Sequence, residues 1–123
     1  MSLFAERKID CHNHIFDPLQ FPYQPDTPYR PLECETSPAA LFHQVLDIHG
    51  SSHALLVGPN SGYGENDNRA LLDAIAHANG RFRGMAVVSM DTGLDELAAL
   101  KAQGVVGVTF NVAYYGLEHF ASA

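Results

Sequence analysis

Polar and apolar residues alternate near the start of the chain. In Ile9-Asp10-Cys11-His12-Asn13-His14-Ile15-Phe16, the residues Asp10, His12 and His14 fall on every second position. A β-strand has a side-chain period of two, so this spacing predicts a strand presenting a carboxylate and two imidazoles on one face, with Cys11 on the other. Three later stretches are continuously apolar instead: His53–Pro59, Phe82–Met90 centred on Gly84–Val88, and Val105–Asn111. Runs of this kind predict strands buried on both faces. Between them the apolar spacing lengthens to three or four residues, the period of a helix. Leu41, Phe42, Val45, Leu46 and His49 form one stripe, with Ser37-Pro38 as its start and Gly50 as its stop. Leu71, Leu72, Ile75 and Ala78 form a second, capped by Asn66 or Asp67 and ended by Gly80. Leu94, Leu97 and Leu100 form a third, from a capping-box-like Thr92 and Asp95 to Gly104. A last short helix is expected around Leu117–Phe120.

Pro18, Pro22, Pro25, Pro28 and Pro31 exclude helix and interior strand from residues 17–36. Phe21, Tyr23 and Tyr29 give that stretch something to pack, which predicts an ordered loop covering a site. The order is therefore β, long loop, α, β, α, β, α, β, with parallel pairing and crossover helices. A small open sheet and part of a (βα)8 barrel both satisfy it. The polar face of the first strand favours the barrel, whose chemistry gathers at the C-terminal strand ends. The residues near those ends are His12, His14, Ser61, Ser89, Asp91 and Asn111.

Composition narrows the class. With 46% hydrophobic and 17% charged residues the chain reads as one ordinary globular unit, residues 1–123. A net charge of −7 argues against a nucleic-acid partner or an anionic membrane surface. No apolar run is long enough to span a bilayer, and Met1–Asp10 has no apolar signal core, so a cytoplasmic protein is expected. Cys11 and Cys34 have no metal-ribbon or CxxC spacing, and are expected to be reduced.

Asp10-x-His12-x-His14 on a first strand, then Phe16-x-Pro18, Phe21-Pro22-Tyr23-x-Pro25 and Tyr29-x-Pro31, resembles the amidohydrolase superfamily. More narrowly, the pattern is similar to the 2-pyrone-4,6-dicarboxylate lactonase family. Asp67-Asn68 and Gly104-Val105-x-Gly107-Val108-x-Phe110-Asn111 extend the match. The resemblance implies a (βα)8 TIM-barrel hydrolase. Such a barrel needs about 250 residues, so this chain supplies about the first four βα units, an N-terminal portion. The family's further site histidine and late aspartate would lie outside it. Where those lactonases carry arginines at and after the fourth strand, this chain has Thr109 and Tyr115, which implies a less anionic lactone, ester or amide.

On this basis His12 and His14 are the candidate catalytic residues and candidate ligands of one divalent metal, zinc first. A metal-independent route, in which the histidines polarise the carbonyl directly, fits the residues equally. Asp10 is expected to orient the strand end rather than ligate. Tyr29, Ser61 and Asn111 are the candidate substrate contacts, Tyr29 alternatively packing its own loop. His43, His49, His53 and His77 read as surface or structural, and Arg69, Arg81 and Arg83 as solvated ends of elements. The expected partner is a small-molecule substrate. Half a barrel also exposes two sheet edges, which predicts a homo-oligomer or association with a missing C-terminal half. A non-catalytic half-barrel or a small-molecule-binding remnant is the alternative to an enzyme.

Overall fold

A computed structural model describes residues 5–121; the reading of Met1–Asp10 as free of a signal core lies in part outside them. Four strands, β1 (Lys8–Asn13), β2 (Ser51–Val57), β3 (Phe82–Val87) and β4 (Val105–Thr109), form one sheet in the order β1-β2-β3-β4. All three pairings are parallel. Each is bridged by a helix: α1 (Ala39–His49), α2 (Arg69–Ala76) and α3 (Leu94–Ala102). Two short helices, α4 (Val112–Tyr115) and α5 (Leu117–Ala121), follow β4. The expected helix near Leu117 is thus present, with an additional turn before it.

The core lies between the helices and one face of the sheet. Phe42 and Leu46 of α1, Leu71 and Ile75 of α2, and Leu100 of α3 pack with Leu56, Phe82 and Ala86. Leu56, Phe82 and Ala86 are fully buried. The expectation of strands buried on both faces is corrected here. Along β2 and β3, burial alternates, with His53 and Arg83 exposed, and in β4 Val106 is 61% exposed. Among the described residues the helices cover one face only, so the other face of these apolar strands stays open.

Several helix starts also differ from expectation. Ser37 does not cap α1, because its backbone pairs with Phe16 in an antiparallel bridge (3.0 and 2.9 Å) and Pro38 takes the cap position. Gly50 ends α1 as expected, at φ 66°, where its N–H reaches the carbonyls of Leu46 and Asp47. Neither Asn66 nor Asp67 occupies the cap of α2; that position is Asn68. Its carboxamide is turned away to β3, donating to the Val87 carbonyl (2.8 Å) and accepting from the Val87 N–H (2.9 Å). Gly93 precedes α3, and the Thr92 hydroxyl turns to Ser89 and Asn66. Leu94 is 83% exposed, so only the later members of that stripe reach the core.

Residues 17–36 are packed rather than loose. Tyr23 and Phe16 both lie against the buried ring of Tyr63 (centroids 5.2 and 6.2 Å). The Tyr23 hydroxyl donates to the Pro31 carbonyl (2.7 Å), and the Asp17 N–H donates to the Tyr63 hydroxyl (2.8 Å). Arg81 is not a solvated end: it donates to the carbonyls of Ser51 (2.8 Å) and Ser52 (3.1 Å) and pairs with Asp47 at 2.7 Å. It thereby ties α1 to the start of β2.

Candidate active site

The histidines arise from an irregular strand. Asp10 pairs with Ala54 and Asn13 with Leu56, so three steps of β1 face two of β2. One extra residue is accommodated between Asp10 and Asn13, which interrupts the alternation. Asp10, His12 and His14 therefore do not share one uninterrupted strand face. The Asp10 carboxylate instead accepts the His12 N–H (3.0 Å) and holds the irregular backbone locally.

His12 is exposed and His14 half-buried. Their ring centroids are 5.0 Å apart and nearly perpendicular. The His14 Nδ1 lies 2.7 Å from the carbonyl oxygen of Val57, the last residue of β2. A carbonyl only accepts, so the hydrogen sits on Nδ1 and a neutral His14 presents Nε2 as a lone pair. A backbone partner behind the ring is the usual way a ligating imidazole is fixed. Two imidazoles on one tetrahedral ion, bound at about 2.0–2.1 Å, have centroids roughly 5 Å apart. The spacing of the pair matches that of two such ligands. Among the described residues, no group of three or more His, Cys, Asp or Glu side chains is placed to complete a metal site.

Both histidines line a cavity of about 250 Å³ with Val57, Asn60, Thr109 and Asn111. These residues come from the C-terminal ends of β1, β2 and β4 and the loops that follow, the face where such sheets do chemistry. Asn111 lies in it while its Oδ1 accepts the Tyr114 N–H (3.1 Å). Ser61 is adjacent in sequence but does not line this cavity, and neither does Tyr29. Tyr29 is 49% exposed, and a hydrogen bond with Glu35 raises its phenol above the ordinary value. Ser89 and Asp91 lie in a clasp between loops: Asn66 accepts the Ser89 N–H (2.9 Å) and donates to its hydroxyl (2.7 Å), and that hydroxyl donates to Asp91, holding its carboxyl low.

Asn60 escaped the sequence reading. It is only 6% exposed, and neither Oδ1 nor Nδ2 hydrogen-bonds to a described residue. Its signal was its position directly after Gly58-Pro59 at the end of β2, the criterion that picked out its neighbour Ser61. Asn60 also lines an adjoining cavity of about 460 Å³ with Asp26, Tyr63, Glu65, Tyr114 and Tyr115. There Glu65 pairs with His119 (3.4 Å), whose ring stacks on Tyr115. Burial, then the charge of Glu65, push the Tyr115 phenol up. A further cavity of about 520 Å³, lined largely by apolar residues, lies between α3 and β4 and shares no residue with the histidine cavity.

Comparisons with known proteins bear on the family and the fold. The amidohydrolase family model matches residues 9–122. The chain is 36% identical over 104 residues to a 2-pyrone-4,6-dicarboxylate hydrolase of Comamonas testosteroni, covering 84% of this chain and 32% of the relative. It is 31% identical over 102 residues to a 4-sulfomuconolactone hydrolase of Hydrogenophaga intermedia, covering 82% and 32%. Among solved structures it is similar to a probable 2-pyrone-4,6-dicarboxylic acid hydrolase of Acinetobacter baumannii with citric acid bound. That match has a TM-score of 0.73 and 36% identity, over 85% of this chain and 37% of that one. The chain thus spans about a third of the length of the curated relatives it matches. Its parallel sheet with alternating helices corresponds to part of their TIM barrel. The chain belongs to the amidohydrolase family.

Proposed function

We propose that this chain contributes the first βα units and the His12/His14 element of a barrel that hydrolyses a lactone, cyclic ester or amide. Water attacks the carbonyl carbon, the carbonyl oxygen gathers negative charge, and the ring C–O or C–N bond then breaks. The observation that carries the reading is the His14–Val57 bond, which turns a free Nε2 toward the cavity beside His12. A divalent metal held partly by His12 and His14 would supply Lewis acidity and lower the pKa of water. The chain's own residues orient and bind: Asp10 fixes the His12 backbone, and the Asn60 and Asn111 carboxamides face the substrate. Without metal, the imidazoles polarise the carbonyl directly as hydrogen-bond donors, His14 doing so from Nε2 as an imidazolium whose Nδ1–H stays on Val57.

The base and any further ligand come from the strands that close the barrel, supplied by further polypeptide or by a second copy of this chain. The bare edge of β4 and the open sheet face support such association. Cys11 and Cys34 are both exposed and unpaired, which supports a reducing, cytoplasmic setting. No helix among the described residues is long and apolar enough to cross a membrane. Zinc titration of the protein tests the pincer. His12→Ala and His14→Ala are each expected to weaken binding by about 10-fold or more. Unchanged zinc affinity in both variants would remove the histidines as ligands.

A further inference from the structure

Asn60 and Asn68 are both buried asparagines, and they differ in one respect. Asn68 satisfies its carboxamide on the backbone of Val87, whereas both polar atoms of Asn60 lack a described partner. Buried carboxamides are almost always paired, and each exception calls for a reason. Asn60 lies where the cavity of His12 and His14 meets the larger one beside Tyr115. A ligand spanning the two would pass directly over it. The carboxamide offers one acceptor and two donors at once, so its complement carries a donor and an acceptor side by side.

Charge sets the second constraint. Among the described residues no lysine or arginine lines either cavity, whereas Asp26 and Glu65 line the larger one. The nearby His119 is paired with Glu65. A dianion would meet carboxylates there without a guanidinium fork to receive it.

We propose that Asn60 reads the ligand, and that the adjoining cavities take an uncharged ring with a hydrogen-bond donor beside a carbonyl, the pattern of a lactam or cyclic imide. This rests on the hydrolase reading of the site and narrows it to a substrate class. It also sets the chain apart from relatives named for anionic substrates.

The test is equilibrium binding of three small rings to the protein, followed by calorimetry and the Asn60 side-chain amide resonances. The probes are 2-pyridone, 2-pyrone and 2-pyrone-4,6-dicarboxylate. The expected order is 2-pyridone tightest, by at least about 10-fold over 2-pyrone, which lacks the donor, with the dicarboxylate weakest. Asn60→Leu should abolish the preference for 2-pyridone. If that variant fails to fold, Asn60→Ala, which also removes the acceptor for the ring N–H, should abolish it instead. Tightest binding of the dicarboxylate would overturn the proposal. So would an unchanged preference in a folded Asn60 variant, or no binding of 2-pyridone at about 10 mM. Hydrolysis of dihydrocoumarin by the parent protein is followed in parallel: no turnover with 2-pyridone binding intact would count against the hydrolase reading and leave the ligand class standing.

Discussion

The Nδ1 of His14 lies 2.7 Å from the carbonyl oxygen of Val57, across the pairing of β1 with β2. This bond sets which nitrogen of the neutral ring keeps its lone pair, and it separates a structural role of the ring from a chemical one. Asparagine places an amide nitrogen near the position of Nδ1 but has nothing at Nε2. His14→Asn is therefore expected to keep thermal stability within about 0.5 kcal/mol while losing metal affinity. His14→Ala should lose the bond as well, at about 1 kcal/mol. Differential scanning calorimetry beside zinc titration separates the two effects. Equal zinc affinity in His14→Asn and the parent would count against the assignment of Nε2.

The two buried asparagines predict opposite stability outcomes. Asn68→Ala leaves the Val87 N–H and C=O without their partner and should cost about 2–3 kcal/mol in urea unfolding. Asn60→Leu removes a carboxamide with no described partner and should be close to neutral, or stabilising by up to about 1 kcal/mol. A cost for Asn60→Leu as large as that for Asn68→Ala would mean that Asn60 has a structural partner in solution.

Gly62 supports the proline-rich loop. Its φ is 74°, and a Cβ there would stand 2.6 Å from the ring of Tyr23. Gly62→Ala must shift that ring and strain the backbone, for an expected loss of about 1–3 kcal/mol. The loss should appear as faster proteolysis within residues 17–36 before the sheet itself opens.

Tyr23 predicts an alkaline limit. Burial foremost, then the neighbouring Tyr63, Tyr29, Asp17 and Glu35, push its phenol up to about 12 from the ordinary 10.0. The folded state therefore keeps the proton that the unfolded chain gives up first. Stability on this account is constant below pH 10 and falls between pH 10 and 12, because there the unfolded state binds fewer protons. Tyr23→Phe should flatten that fall while losing the bond to Pro31, about 1 kcal/mol at neutral pH. Chemical denaturation across pH 8–11 measures both.

Ile9 and Val106 are each 61% exposed, on the two outermost strands of the sheet. The chain is expected to associate through this surface, and sedimentation velocity should show a dimer or larger species. Val106→Lys should shift it toward monomer. A compact, well-folded monomer of the parent chain would favour a self-sufficient open sheet.

The β–α order was legible because each crossover helix carries its own apolar stripe and stop signal, as with Leu46 and Gly50. One-sided burial was not, because Leu55 and Leu56 read alike in sequence while helices cover only one of them fully. His12 and His14 could be picked out by spacing, but the extra residue in β1 breaks the period that had joined Asp10 to them. Caps failed where tertiary contacts claimed the side chain or backbone, as at Asn66 and Ser37. Asn60 carries no local signal beyond its place after β2, since its missing partners are a property of the packed molecule.

Hydrolysis kinetics of His12→Ala and His14→Ala in the assembled protein, on an uncharged lactone such as dihydrocoumarin, test the central claim most directly. The account predicts that each variant loses at least about 100-fold in kcat/KM while folding normally. Values within about threefold of the parent in both variants would contradict it.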